Sequence, residues 1–265
     1  MTGFISIFRR EMVHYFKNTT RIGNTIISPI LIVLLFTYIY KNEGASIEGV
    51  SSFTMVISGV LSVIAFNSAL EFSADFAYDK MTGYMKEFLI SPLPRKTIVL
   101  AKMSADVVKS YVEAGVMMLF SLTVGVRYPA PVFFTQLLTV TIAGCFGASF
   151  GLFFATKVRN YRNYNAIVSF AGLPIMLLSG AYLPLNLIPE WLRIICYCNP
   201  LTYLCNFSKY VTFLSEGISL SKMYEQNLVV SYLHPGYGLL IAGCITVALV
   251  IVTILTFDKN LKKNV

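Results

Sequence analysis

Asp79–Lys96 reads DKMTGYMKEFLISPLPRK, a short basic and amphipathic stretch in a chain that is otherwise mostly apolar. Phe88 and Leu89 follow Tyr84 and Met85 by four residues, so a helix here carries one apolar stripe, with Lys80, Lys86 and Glu87 off it. Pro92 and Pro94 end that helix, because neither can donate a backbone N–H. The stretch is too short and too charged to cross a bilayer. It suits a membrane surface or a groove on a soluble partner, and its flanks bear on which.

Around it, 56% of the 265 residues are hydrophobic and only 13% are charged, with a mean hydropathy of +0.68. Soluble domains carry roughly a quarter charged residues, so this composition is that of an integral membrane protein. The net charge of +8 then reads as cations on one membrane face, meeting anionic lipid. Nucleic acid is not expected as a partner, since no basic-aromatic module is visible. The first residues lack a small-residue cleavage site, so no cleavable signal is expected.

The fold expected is all-α and polytopic, one transmembrane domain over 1–265. It begins with an amphipathic interfacial helix at 1–21. Phe4, Ile5, Phe8, Met12, Tyr15 and Phe16 recur there at three- and four-residue steps among Arg9, Arg10, Glu11 and Lys17. Six stretches are long and apolar enough to span: 22–40, 50–70, 103–126, 132–156, 166–185 and 236–257. Pro29, inside the first, is expected to kink the helix, not end it. Gly147 and Gly151 in the fourth make a small-residue step that lets another helix approach. The third span is unusual. Asp106, Lys109 and Glu113 share one face of it, either as local ion pairs near the interface or as a substrate or ion pathway.

Between the last two spans, 186–235 is too broken to cross. Pro189, Trp191, Tyr197, Pro200, Tyr203 and Tyr210 punctuate short apolar pieces, which suits re-entrant or interface-lying helices covered by protein. Six spans put both termini on one side. Counting Arg9, Arg10, Lys17, Arg21, Lys80, Lys86, Arg95, Lys96, Lys102, Lys157, Arg159, Arg162, Lys259, Lys262 and Lys263 gives fifteen cations on that side. Lys41, Arg127, Arg193, Lys209 and Lys222 make five on the other. That asymmetry places the termini and the 79–96 stretch in the cytoplasm.

Familiar chemistry is missing. Cys145 and Cys244 fall inside spans, and the spacing of Cys196, Cys198 and Cys205 fits no zinc pattern. Cys205 is read as apolar filler, with a bridge to Cys196 or Cys198 left open. His14 and His234 fall on opposite sides, so no shared metal is expected. No phosphate-binding G-x-x-x-x-G-K-[ST] occurs, so any ATP would have to be bound by another subunit.

Two stretches carry a family resemblance. Asp79, Gly83, Lys86-Glu87, Phe88, Leu89, Ser91 and Pro92 form the first. The second is Ser179-Gly180, Pro184, Pro189, Trp191, Asn199-Pro200 and Thr202-Tyr203, in that order. Together with the six-span plan, they resemble the membrane subunits of type-2 ABC exporters. Tyr84 stands where that family commonly has Thr, and Glu87 is one place later than in many members.

The resemblance implies a permease subunit that dimerises, as homo- or heterodimer, and pairs with cytoplasmic ATPase subunits that bind ATP and Mg²⁺. It implies that Gly83, Tyr84, Glu87, Phe88 and Leu89 couple to the ATPase. It also implies that the segment with Pro189, Trp191, Asn199, Pro200 and Tyr203 roofs the exit as an outer gate. The expected function is export of an amphipathic cargo (drug, lipid or lipid-linked glycan) across the cell membrane, with no cofactor in this chain. The rivals are an ion-coupled secondary transporter, with Asp106, Lys109 and Glu113 as its relay, and a membrane enzyme, for which no catalytic set converges.

Overall fold

A bilayer gives the backbone no water to bond to, so apolar runs of this length must satisfy their amides internally as helices. The computed structural model describes residues 2–43, 46–47, 50–84, 93–158, 160–182, 188–218, 220–225 and 234–262. These are helical apart from one two-residue ladder. α1 is Thr2–Lys17 and α2 is Thr19–Glu43, which runs through Pro29. Ser46–Ile47 (β1) then pairs antiparallel with Val50–Ser51 (β2). Next come α3 (Ser52–Phe72), α4 (Ala74–Thr82), α5 (Arg95–Thr123), α6 (Ala130–Lys157) and α7 (Tyr161–Leu177). The chain closes with α8 (Glu190–Cys198), α9 (Pro200–Ser215), α10 (Leu220–Glu225) and α11 (Pro235–Lys262).

Among the described residues, four helical segments are long and apolar enough to cross a membrane: Thr19–Ile39, Val56–Thr82, Ala130–Lys157 and Pro235–Lys259. α5 carries Lys102, Asp106, Lys109 and Glu113 from its early turns to past its middle, and α7 is seventeen residues long. Both therefore fall outside that set.

α3 is the centre of the bundle. It packs on α5, α6 and α9, and 89% of its apolar window is buried, against 22% for α2 and for α11. The outer faces of those two helices expose Leu31, Leu34, Leu35, Val247, Ile251 and Leu255, as suits helices whose outer face meets hydrocarbon. Close approach in the core depends on small residues of α6. A Cβ on Gly147 would lie 2.3 Å from the Phe66 carbonyl oxygen, and one on Gly151 would lie 2.6 Å from Ser73 Cβ. Neither site can take a side chain without moving backbone.

α1 packs along α5 through Ile7, Glu11 and Tyr15, all buried and one turn apart, while Ile5, Val13 and Phe16 stay exposed. This helix therefore has two faces, one against protein and one free for the headgroup boundary. α9 is more buried than an interface-lying helix would be. Leu201, Leu204, Cys205, Ser208, Thr212 and Phe213 all face inward, against α3, α6 and α11.

Candidate functional site: a buried charge network and a pinned helix junction

At the end of the bundle where α1, α2, α4 and α5 meet, eight charged side chains converge. Four are cations: Arg10 of α1, Arg21 of α2, and Lys102 and Lys109 of α5. Four are carboxylates: Glu11 of α1, Asp75 and Asp79 of α4, and Asp106 of α5. Lys102 Nζ donates to Glu11 Oε1 at 2.8 Å and to Asp79 Oδ2 at 2.6 Å. Lys109 Nζ lies 3.2 Å from Asp106, 3.6 Å from Glu11 and 3.7 Å from Asp75. Arg21 holds Asp75 with both guanidinium nitrogens, and Arg10 reaches Asp79 at 3.3 Å.

Burial makes the arrangement obligatory. Lys109 is 0% exposed, Lys102 2%, Asp106 3% and Glu11 4%. Charges this deep are tolerated only when paired and hydrogen-bonded. The equal number of each sign gives a network that is neutral overall. Aromatic rings pack over the ammonium groups: Phe72 lies 5.3 Å from Lys109 and Phe76 5.7 Å from Lys102. Ser73, at the break between α3 and α4, puts its hydroxyl 3.2 Å from Asp106 Oδ2.

α4 is also fastened to α6. Lys80 Nζ donates to the carbonyls of Thr156 (2.8 Å) and Val158 (3.0 Å). It thereby satisfies acceptors at the C-terminal end of α6, where a cation meets the negative end of the helix dipole. Gly83 closes α4 at φ 87°, in the left-handed region that favours glycine. Tyr84 follows, half exposed, with the Arg10 guanidinium 5.8 Å from its ring centroid. Glu87, Phe88 and Leu89 lie outside the described residues.

Of the trio predicted on one face of α5, Asp106 and Lys109 join the network, while Glu113 turns toward a cleft beside α7. Sequence reasoning did not assemble Arg10, Glu11, Arg21, Asp75, Asp79 and Lys102 with them. The available signal was one of type. Acidic residues are scarce in this chain, and an isolated carboxylate in a basic helix, such as Glu11, or next to a span, such as Asp75, asks for a partner.

The segment from Ile188 to Ile218 forms a second constellation. Pro189 precedes α8, on which Trp191 is 71% exposed. Asn199 closes α8 and opens α9. Its Oδ1 accepts from Leu201 N at 3.1 Å, and its Nδ2 donates to Ile175 O of α7 at 2.6 Å. Pro200 occupies the first turn of α9, where a missing N–H costs nothing. Thr202 Oγ1 donates to Leu178 O at 3.2 Å, and Tyr203 Oη to Tyr197 O at 2.7 Å. The Asn-Pro-x-Thr-Tyr run is thus the junction between α8 and α9, pinned to the end of α7. Lys209, one turn and a half further along, donates to Gly180 O at 2.6 Å from a fully packed position. Pro184 lies outside the described residues.

All five cysteines are free, and the Cys205 thiol donates to Gly59 O, which fits the reading of that residue as filler. Among the described residues, no group of three or more His, Cys, Asp or Glu side chains is arranged to hold a metal ion.

A helical bundle with lipid-compatible outer faces, small-residue helix contacts and four helical segments long and apolar enough to cross a membrane defines a multi-pass membrane protein. Residues 2–213 match the family described as ABC-2 type transporter, and the chain belongs to that family of transport permeases. It is similar to a protein of Cyanophora paradoxa provisionally named transport permease ycf38. The two are 25% identical over 228 residues, covering 83% of this chain and 77% of the relative. Proteins of the same provisional name from Pyropia yezoensis and Porphyra purpurea are 22% and 21% identical over 212 residues, covering 78% of this chain and 72% of each relative.

Proposed function

We propose that the chain is the permease subunit of an ATP-driven exporter, moving an amphipathic cargo out of the cytoplasm through a dimer of permeases. In this reading, α2, α3, α5, α6, α7 and α11 are its six spans. Both termini and the 79–96 stretch face the cytoplasm, and the protein sits in the cell membrane. A separate ATP-binding-cassette subunit binds ATP and Mg²⁺ and hydrolyses the nucleotide, while this chain holds no cofactor.

The observation that carries the reading is the buried network. α4 carries the first residues of the 79–96 stretch, Asp79–Thr82, and ends at the left-handed Gly83, and its two carboxylates are held by cations of α1, α2 and α5. Lys80 fastens the same helix to α6. A displacement imposed on the stretch by a soluble partner would reach four other helices at once, because separating buried partners is costly. At the opposite end, the Asn199–Tyr203 junction ties α9 to α7, and in this reading it is the hinge that moves with the outer gate.

The test is affinity purification of the full-length permease, in mild detergent, from the cells that make it. An ABC ATPase is expected in stoichiometric amount. The Phe88→Ala variant should lose about tenfold or more of it, since a buried aromatic anchor contributes roughly 1.5–3 kcal/mol. Recovery of an active transporter with no ATPase in the eluate overturns the proposal.

A further inference from the structure

α2, α3, α5 and α7 leave a cleft of about 830 Å³ between them. That volume suits a drug-sized organic molecule. The lining is amphipathic. Ile27, Val168, Leu173 and Met176 supply apolar wall, and Asn24, Asn67 and Asn165 supply amides. Two carboxylates face the same space, Glu71 from α3 and Glu113 from α5.

What sets these carboxylates apart is their lack of counter-charge. Glu71 accepts from the Asn67 amide at 2.9 Å, an uncharged donor. Glu113 has the Ser68 hydroxyl for a neighbour. Among the ion pairs of the described residues, neither appears. The cations near them are committed elsewhere. Arg21 also lines the cleft but holds Asp75 with both nitrogens. Lys109, one turn before Glu113, is surrounded by Asp106, Glu11 and Asp75. The amphipathic cleft therefore holds two carboxylates without a paired cation, while the charges of the neighbouring network are equal in number and opposite in sign.

We infer that the cleft binds an organic cation with apolar substituents, a lipophilic ammonium or phosphonium, and that this is the class of cargo the permease takes. A poorly hydrated cation gives up little water on entering, relieves repulsion between the two carboxylates and gains contact with the apolar wall. The Tyr161 ring adds a face for it. An anion of the same shape meets uncompensated carboxylates. The cargo assignment rests on the permease reading, but binding itself needs neither ATP nor an ATPase.

The experiment is equilibrium binding of tetraphenylphosphonium to the full-length protein in lipid nanodiscs, above the background of empty discs. Tetraphenylborate, equal in shape and opposite in charge, is the comparison. Saturable binding of the phosphonium alone is expected. Glu71→Gln together with Glu113→Gln should weaken it about tenfold or more, the cost of losing contacts to a charged group. Asp258→Asn, at an exposed carboxylate far from the cleft, should leave it unchanged. Ser169→Phe, which narrows the cleft without altering its charge, should also weaken binding about tenfold, and it decides the matter if the double variant does not fold. Equal binding of both ions, no saturable binding, or unchanged phosphonium affinity in the folded variants overturns the inference. Each of those results leaves co-purification of an ATPase, and so the permease reading, untouched. Phosphonium binding without any ATPase partner would retain the site and remove its role in ATP-driven export.

Discussion

Lys102→Met is the sharpest perturbation of the charge network. The ammonium sits between Glu11 and Asp79 at 2.8 and 2.6 Å and is 2% exposed. Methionine keeps the length of the side chain and its apolar stem, so packing is nearly conserved. What is lost is the cation between two buried carboxylates. Removing one partner of a buried pair costs about 3–5 kcal/mol, because the remaining charge stays in a poorly solvating site. Arg10 remains 3.3 Å from Asp79, but it is 41% exposed, so water screens its compensation. The lower half of the range is therefore expected. For a chain of this size that corresponds to a loss of roughly 6–16 °C in the unfolding midpoint, read by thermal-shift chromatography of the purified permease in detergent. Adding Glu11→Gln alone to Lys102→Met leaves Asp79 paired with Arg10, restores equal numbers of each sign and should recover much of the loss. The same change at Arg95, whose pair with Asp258 is at the surface at 3.4 Å, should cost only about 0–1 kcal/mol. A Lys102→Met protein that melts with the wild type would refute the network as an obligatory element.

Gly147→Ala should destabilise by about 1–3 kcal/mol or prevent folding, since its Cβ would meet the Phe66 carbonyl at 2.3 Å. Gly115→Ala, with nothing within 4 Å, should be neutral or stabilising by up to about 1 kcal/mol in the same melting assay. Asn199→Ala removes the cap of α9 and the bond to Ile175, a loss of about 1–2 kcal/mol. Hydrogen exchange should show it as faster exchange at the start of α9, with α3 unchanged. For topology, single cysteines replacing Lys41 or Arg127 in a cysteine-free background should react with an impermeant thiol reagent on intact cells. Those replacing Lys80 or Lys157 should not, and labelling at Lys80 would reverse the orientation.

Much of the architecture is local and was legible in the residues. A bilayer forces every long apolar run to bond its own backbone, so composition alone dictates a helical membrane protein. The Ser-Gly, Pro-x-Trp and Asn-Pro-x-Thr-Tyr runs marked the family by their order along the chain, without any contact being known. The charges of α5 were legible as a shared face of Asp106, Lys109 and Glu113, because helical spacing is a property of sequence.

Their fates were not legible. Lys109 and Asp106 meet Glu11 and Asp75 of other helices, and Glu113 meets a cleft. Nothing in a 3.6-residue period tells these surroundings apart. Lys102 and Arg21 counted as two more cations on one membrane face until the fold gave each a carboxylate far away in the chain. The partners are chosen by how closely helices approach, which Gly147 and Gly151 permit by lacking a side chain. Sequence determined which segments are helices and which faces are polar. The tertiary structure decided which charges neutralise one another and which two carboxylates are left facing open space, because pairing in a low-dielectric interior depends on distances of a few ångströms between residues that the chain keeps far apart.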